Sequence, residues 1–485
     1  MLPILLIHGY SSEGKDTSAK KIYGHLPKLL RKEFDNDEVK ELDLSRWISL
    51  SDGVSLDDVS FAMDRALKKD FPHLLESGFH VVIHSTGALV VRNWIKKYSP
   101  KPSPINNVVH LAGANFGSGL AHIGKGQLAR WGRFIFTGSD SGTRVLKELE
   151  FGCWKTLELH RYFLQNGNDM YLDYQIQEFC LNGSQTFAGT LKTVINLIPI
   201  RYVKEDSSDN TVRTAACNLN YNYIEVFPSA RCKKLSASSL KNLMKKRETN
   251  SDVTDRYYDY ALNNLSSQRK RVPFGLLYET AHFGSDIGIV DGKKNRRHVL
   301  PHIKAALETP YNEKKYGAIV ERYQKLTEKT LERASKLKPN IFGWNKQAQY
   351  EGHMQVIIRV KDQYGHSVDN TDITFNSDEG TDDPRLESMI EDKHRNTLHK
   401  GTITFYFRTV RYKNKQWQDQ LKNIAPLNVE ITGYEPDSDH IAYVPMTIKL
   451  SSSELKVILR SFCTTVIDVT MMRLPKDGVF AIEKA

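Results

Sequence analysis

Apolar positions in the first third of the chain fall into alternating blocks. Pro3-Ile4-Leu5-Leu6-Ile7 is a continuous apolar run, as in a strand covered on both faces. Helical spacing follows from about Ser18 to Glu33, with Ile22, Leu26 and Leu29–Leu30 on one side, and Val39–Leu44 predicts a second strand. Ser55-Leu-Asp-Asp predicts a capped helix through Leu67. The strand His80–Ile83, a helix over Ala88–Tyr98 and the strand Asn107–Leu111 continue the series. Repeated β-α-β order implies an α/β fold, a parallel sheet with helices on both faces.

The alternation breaks after Ala112-Gly113-Ala114-Asn115-Phe116-Gly117. From Ser118 to about Asn182 the chain is glycine-punctuated and then helical, notably Thr143–Phe163, which reads as an insertion over the carboxyl edge of the sheet. Gln185–Thr190 predicts a strand, and Pro228–Arg271 a second insertion with a basic helical pattern around Leu240, Leu243 and Met244. Gly275-Leu276-Leu277-Tyr278 and a long charged helix, Glu313–Lys336, close the region. Pro339–Gln349 is the domain boundary. Beyond it the period becomes two, in Met354–Lys361, Thr402–Arg408, Asn428–Thr432 and Met446–Leu450, and turn residues separate the runs. The expected organisation is an α/β domain over 1–338, with insertions at about 118–182 and 228–271, and an antiparallel β-sandwich accessory domain over 350–485.

Composition narrows the class. At 485 residues, 40% hydrophobic and 26% charged, the chain is an ordinary globular protein. No apolar stretch approaches the ~20 residues that span a bilayer. The apolar start, Leu2–Ile7, lacks a basic flank and is too short for a signal peptide. Synthesis in the cytoplasm without a cleavable signal is expected, and export would need a leaderless route. Cys153, Cys180, Cys217, Cys232 and Cys463 are scattered with no Cys-x-x-Cys pair, predicting free buried thiols in a reducing compartment. No metal-ligand cluster is apparent. The net charge of +11 favours acidic partners, with anionic lipid ahead of nucleic acid because no nucleic-acid module accompanies it.

Candidate chemistry centres on Val81-Val-Ile-His-Ser-Thr-Gly87. A β-branched run delivers Ser85 onto a turn that opens a helix, the sequence image of a nucleophile elbow, although Ile83 stands where the G-x-S-x-G pattern has glycine. A strand-ending serine that merely caps the next helix is the alternative. A serine hydroxyl needs a base, an orienter for that base, and N–H donors for the oxyanion. His282, after a strand signal and before Phe-Gly-Ser-Asp, is the favoured base, with His298 and His302 as competitors. His84 reads as a packing residue and His8 as structural. Asp209, in Asp-Asn-Thr-Val-Arg, is the favoured orienter, with Asp206 and Glu205 as alternatives.

In this order, Ser85, Asp209, His282, the chain resembles the α/β-hydrolase superfamily, in particular bacterial serine lipases and esterases that begin at a strand bearing His-Gly. Leu111-Ala-Gly-Ala-Asn-Phe-Gly-Ser118 and Asp209-Asn-Thr-Val-Arg-Thr-Ala215 look like those lipases too. More loosely, the two-domain layout is similar to leaderless phospholipase effectors that some bacteria deliver into competitors. The resemblance covers residues 1 to about 310 and leaves out the sandwich. It implies acyl transfer to water through Ser85, Asp209 and His282, with oxyanion N–H groups from Tyr10 and Thr86 and no cofactor. The expected substrate is a lipid ester, most of all a phospholipid. A soluble carboxylesterase or thioesterase, and a non-catalytic binding protein on the same scaffold, are the alternatives.

Leu120–Phe136 mixes apolar residues with cations and reads either as a lid, with Leu120, Trp131 and Phe134 against acyl chains, or as a fixed cap helix. Lys233-Lys234, Lys245-Lys246-Arg247, Arg269-Lys270-Arg271 and Lys293–Arg297 are expected to cluster around the acid and base, as a solvated face or an anionic membrane contact. The C-terminal domain would dock on a membrane or a protein partner.

Overall fold

The structure is a computed structural model that describes residues 1–8, 23–34, 39–44, 47–48, 53–119, 143–185, 205–247, 257–260, 269–338, 346–377, 384–436, 438 and 440–475. The chain divides into two compact units, one of residues 1–220, 268–353 and 411–418, the other of 221–267, 354–410 and 419–485.

In the first unit, the strands β1 (Ile4–His8), β2 (Val39–Leu42), β3 (Phe79–His84), β4 (Ile105–Leu111) and β5 (Gln177–Gly183) follow in turn. The chain then leaves for β6 (Asn222–Pro228) and β7 (Tyr258–Tyr260) of the second unit before returning as β8 (Phe274–Leu277). The sheet order is β2-β1-β3-β4-β5-β8, parallel throughout. Ile4, Leu6, Val82, Val109, Leu111 and Phe179 share one core with the helices Leu26–Phe34, Leu300–Leu307 and Glu313–Ser335. Leu5, Ile7, Val81 and Ile83 are equally buried and face the other way, because successive side chains of a strand alternate. The helices Leu56–Asp70 and Gly87–Tyr98 are tied to each other by Ser60 Oγ to Val90 O (3.1 Å) and Trp94 Nε1 to Asp64 Oδ1 (3.2 Å). Ser55 and Asp58 form the expected capping box. Among the described residues, no helix is long and apolar enough to cross a membrane.

Two expectations shift. The fifth strand is Gln177–Gly183, ahead of the predicted Gln185–Thr190, of which 186–190 lie outside the described residues. Its polar residues are buried and find partners far along the chain: Gln177 Nε2 donates to Asn107 Oδ1 (3.0 Å), and Glu178 pairs with Arg92 and His110. The helix predicted over Thr143–Phe163 is two, Thr143–Glu148 and Trp154–Tyr162, separated where Gly152 takes φ +74°.

The Arg92–Glu178 pair is nearly inaccessible and stitches the helix after Ser85 to β5, while His110 Nε2 on β4 lies 3.2 Å from the same carboxylate oxygen. Burial raises the Glu178 pKa, but Arg92 and His110 outweigh it and hold the carboxyl well below the usual range. Among the histidines of this unit whose pKa burial lowers, His80 and His302 reach about 4, and His84, His110 and His160 are shifted the same way. Each is neutral when folded and takes a proton at ~6.5 when unfolded. Their stabilisation is therefore complete above about pH 6.5 and is lost as pH falls toward the folded values, at up to ~1.4 kcal/mol per pH unit for each group. Urea midpoints are expected to fall steadily between pH 7 and pH 5, and His302→Gln to make that fall shallower.

The second unit differs from an antiparallel sandwich in one respect. Its strands are β9 (Gly352–Asp362), β10 (Thr371–Ser377), β11 (Ile390–Arg395), β12 (Thr402–Lys413), β14 (Leu427–Gly433), β15 (Ile441–Tyr443), β16 (Met446–Leu450), β17 (Thr464–Met471) and β18 (Arg473–Pro475), together with β6 and β7, while β13 (Gln416–Asp419) falls mostly in the stretch 411–418 counted with the first unit. A seven-stranded sheet runs β11-β12-β9-β17-β6-β7, with β13 paired to β12, and a three-stranded antiparallel sheet runs β10-β14-β16. The larger sheet is mixed, since β17 is parallel to both β6 and β9. The residues read as a second insertion into the α/β domain, 228–271, thus follow β6 and supply β7 and the helix Ala237–Arg247 to this unit. One face of the larger sheet (Ile224, Val226, Ile358, Ile403, Phe405) packs against Ile373, Val429, Ile431 and Ile448 of the smaller. On its other face Arg359 is buried against Asp468, which also accepts from Tyr223 Oη at 3.1 Å and Lys361 Nζ at 3.1 Å.

Candidate active site

Ser85 follows β3 directly and takes φ +55°, a left-handed conformation that a non-glycine residue adopts only when its surroundings enforce it. Here they do. Ser85 N donates to Leu111 O (3.2 Å), and Ser85 O accepts from Ala88 N (3.2 Å) and Ala114 N (3.1 Å). Ile83 does not crowd this turn: it lies within β3, fully buried, in register with Ile7 and His110. The small residues sit on the other side of the elbow, where a Cβ on Gly113 would come within 3.1 Å of Ala88 Cβ. The Thr86 N–H, at the mouth of the helix Gly87–Tyr98, makes no hydrogen bond among the described residues.

His282 follows β8 in a loop that folds back on itself through Ala281 N to Ile287 O (2.9 Å) and Ile289 N to Ala281 O (2.9 Å). Gly183 makes room for this loop, since a Cβ there would stand 1.9 Å from Thr280 O. His282 Nδ1 donates to Asp209 Oδ2 at 2.8 Å, and both side chains are buried. His282 N also donates to Asp209 O at 3.1 Å, so main chain and side chain set the pair together. With Nδ1 donating, the neutral ring carries its lone pair on Nε2, which is buried and has no hydrogen-bond partner among the described residues.

The other oxygen of Asp209, Oδ1, accepts from Thr211 N (3.0 Å) and Val212 N (2.8 Å). Glu205, an alternative orienter, is committed to Arg213, at 2.6 Å from Nε. His302, a competing base, packs at 6.0 Å from the Tyr323 ring on the helix Leu300–Leu307, and His298 ends the helix Asn295–His298.

The elbow and the Asp209–His282 pair meet through residues that sequence reasoning valued little or missed. His84 lies against His282 with ring centroids 4.4 Å apart and ring planes tilted by 38°, and its Nε2 donates to His282 O at 3.1 Å. Burial, and then the neighbouring His282, lower its pKa, so it serves as a neutral donor. The segment Ala112–Ser118 links the elbow to the acid loop: Asn115 Nδ2 donates to Cys217 O (2.8 Å), Phe116 N to Ala216 O (3.0 Å), and Ser118 Oγ to Thr211 O (2.5 Å). The two lipase-like phrases of the sequence are therefore in contact.

Asp291 had no signal in the sequence. Its carboxylate accepts from Gly284 N with both oxygens (2.9 and 3.1 Å), clamping the loop two residues after His282. Burial raises its pKa. If His282 is the general base, Asp291→Ala is expected to lower kcat for ester hydrolysis by about tenfold, because a small displacement of such a group is costly. Asp291→Asn, which keeps an acceptor oxygen, is expected to cost less in the same assay.

Tyr10, Leu120, Trp131 and Phe134 lie outside the described residues. Of the basic clusters, Lys233-Lys234 and Lys245–Arg247 belong to the second unit, and Arg269–Arg271 and Lys293–Arg297 to the first. All five cysteines are free and buried. Among the described residues no group of His, Cys, Asp and Glu could hold a metal ion.

Both units together match a solved structure, phospholipase PlaB from Legionella pneumophila, with a TM-score of 0.79 over 100% of this chain and 96% of that one, at 21% identity. The chain has the fold of that phospholipase. A second structure of PlaB, in complex with thio-NAD, matches with a TM-score of 0.75 at 21% identity and the same coverage. The common layout is an α/β-hydrolase sheet joined to a mixed β unit. No protein-family model and no curated protein matches the sequence.

Proposed function

We propose that the chain is a serine ester hydrolase that acts on phospholipids. The observation that carries the reading is the buried Asp209–His282 pair, with a free Nε2, in ring contact with the residue that precedes Ser85. Ser85 Oγ attacks the ester carbonyl carbon while His282 Nε2 takes its proton, and Asp209 stabilises the imidazolium. The N–H groups of Thr86 and Tyr10 bind the oxyanion of the tetrahedral intermediate. Collapse breaks the ester C–O bond, and the departing alcohol takes the proton from His282. Water then attacks the acyl-Ser85 ester, gives its proton to His282, and releases the fatty acid with Ser85 restored. Leu120, Trp131 and Phe134 receive the acyl chain. The choice of phospholipid rests on the shared fold with PlaB, whose name states that activity.

The test compares wild type with Ser85→Ala on phospholipid vesicles and on a soluble short-chain ester. Both activities are expected to fall by about 10⁴-fold or more in the variant. Equal rates in the two proteins would remove the serine mechanism. Serine-dependent cleavage of the soluble ester alone would remove the phospholipid.

A further inference from the structure

Residues 227–247 of the second unit carry seven cationic side chains (Arg231, Lys233, Lys234, Lys241, Lys245, Lys246 and Arg247) and no acidic one. The segment runs from the end of β6 through a short turn, Cys232–Lys234, into the helix Ala237–Arg247. Leu240 and Leu243 anchor the helix in the core of the unit. That leaves Lys241, Met244 and Lys245 on its outer side, neighbours at helical spacing. Lys233, Lys234, Lys241 and Lys245 are exposed and have no ion-pair partner among the described residues. Elsewhere lysines find carboxylates, as Lys304 does with Glu33 (2.7 Å) and Lys336 with Glu332 (2.7 Å). The acidic side chains beside the segment are Glu225, two residues before Phe227 on β6, and Asp259, opposite Phe227 in the β6–β7 pairing.

The cations are accompanied by exposed apolar side chains. Met244 is 40% exposed between Lys241 and Lys245, and Phe227, where the segment begins, is 45% exposed. A surface that only kept the unit soluble would intersperse both signs of charge. A surface for nucleic acid has use for the cations but not for a methionine flanked by them. Cations around protruding apolar groups suit the boundary of an anionic bilayer: ammonium groups reach phosphates while thioether and ring enter the acyl region.

We propose that residues 227–247 form the surface by which the second unit docks on anionic phospholipid bilayers. The choice of lipid as occupant rests on the phospholipid reading above, whereas the charge and its apolar companions do not. Docking of this kind would hold the chain at the surface that carries its substrate.

The experiment uses the full chain with Ser85→Ala, so that vesicles survive incubation. Its co-sedimentation is measured with phosphatidylcholine vesicles and with vesicles containing about one-third phosphatidylglycerol, at low and raised salt. Binding is expected for the anionic vesicles only and to weaken with salt. Charge reversal at Lys233, Lys234, Lys241 and Lys245 to Glu is expected to weaken it by about tenfold or more. Met244→Ser is expected to weaken it at low salt as well. In the otherwise wild-type chain the four reversals are expected to leave hydrolysis of a soluble short-chain ester unchanged, which reports an intact fold. Equal binding to neutral vesicles, undiminished binding of the reversed variant, or tighter binding of a short DNA duplex than of anionic vesicles would overturn the proposal. Vesicle binding in a chain whose wild type hydrolyses no ester would support docking and overturn the enzymatic reading.

Discussion

Asp209→Asn is expected to lower kcat for ester hydrolysis by about four orders of magnitude without unfolding the protein. The size of the effect follows from how the carboxylate is held. Oδ1 accepts two main-chain N–H groups, from Thr211 and Val212, and Oδ2 accepts from His282 Nδ1. An asparagine has one acceptor oxygen, and the two N–H groups claim it. Its NH₂ group must then face His282 Nδ1, which becomes an acceptor. The ring proton moves to Nε2, and a protonated Nε2 cannot take the proton of Ser85. The main-chain bonds of the loop survive, so circular dichroism and urea midpoints are expected to change little. Glu205→Gln is the matched control, because Glu205 serves Arg213, and a loss of less than about tenfold is expected.

Glu178→Leu carries the largest expected effect on stability. The substitution leaves the Arg92 guanidinium buried beside His110 with its carboxylate gone. Removing one partner of a buried ion pair costs about 3–5 kcal/mol, much of it the penalty of the abandoned charge. Arg92 also lies over the Phe163 ring at 4.6 Å, so leucine provides an apolar neighbour but no counter-charge. The double variant Arg92→Met/Glu178→Leu is expected to recover most of the loss, since two apolar residues of similar volume replace the pair. Urea denaturation of the three proteins reads this directly. A single variant no weaker than the double one would mean that the pair is solvated. Because Arg92 belongs to the helix that starts at the elbow, the single variant is also expected to lose activity before it unfolds.

Much of this site was legible because its signals are local. A β-branched run followed by Ser-Thr-Gly needs no distant partner to be read as strand, turn and helix, and the structure has that strand, turn and helix around Ser85. The choice of Asp209 over Glu205 and Asp206 rested on the apolar Val212 that follows it, and what distinguishes Glu205 in the structure is its commitment to Arg213. Ile83 looked like an obstacle only because the motif was weighed without the strand that absorbs it.

The features that escaped depend on contacts across long stretches of chain. Gln177-Glu-Phe-Cys-Leu-Asn-Gly183 has a poor strand composition and becomes a central strand because Arg92, His110 and Asn107 satisfy its polar side chains. β6 alternates as a strand should, but its parallel partner β17 begins at Thr464, and nothing local announces that the chain changes units at residue 221. Asp291 is one carboxylate in a charged segment, and its value lies in the Gly284 N–H it accepts.

The central claim, that Ser85 is a nucleophile activated by His282, is tested most directly by covalent labelling. A fluorophosphonate should phosphonylate the Ser85 hydroxyl with loss of fluoride, giving one adduct in the intact mass and one modified peptide, the one containing Ser85. Ser85→Ala should remain unlabelled, and His282→Ala should label far more slowly. A wild-type protein that stays unmodified, or carries its adduct on another serine, would contradict the account.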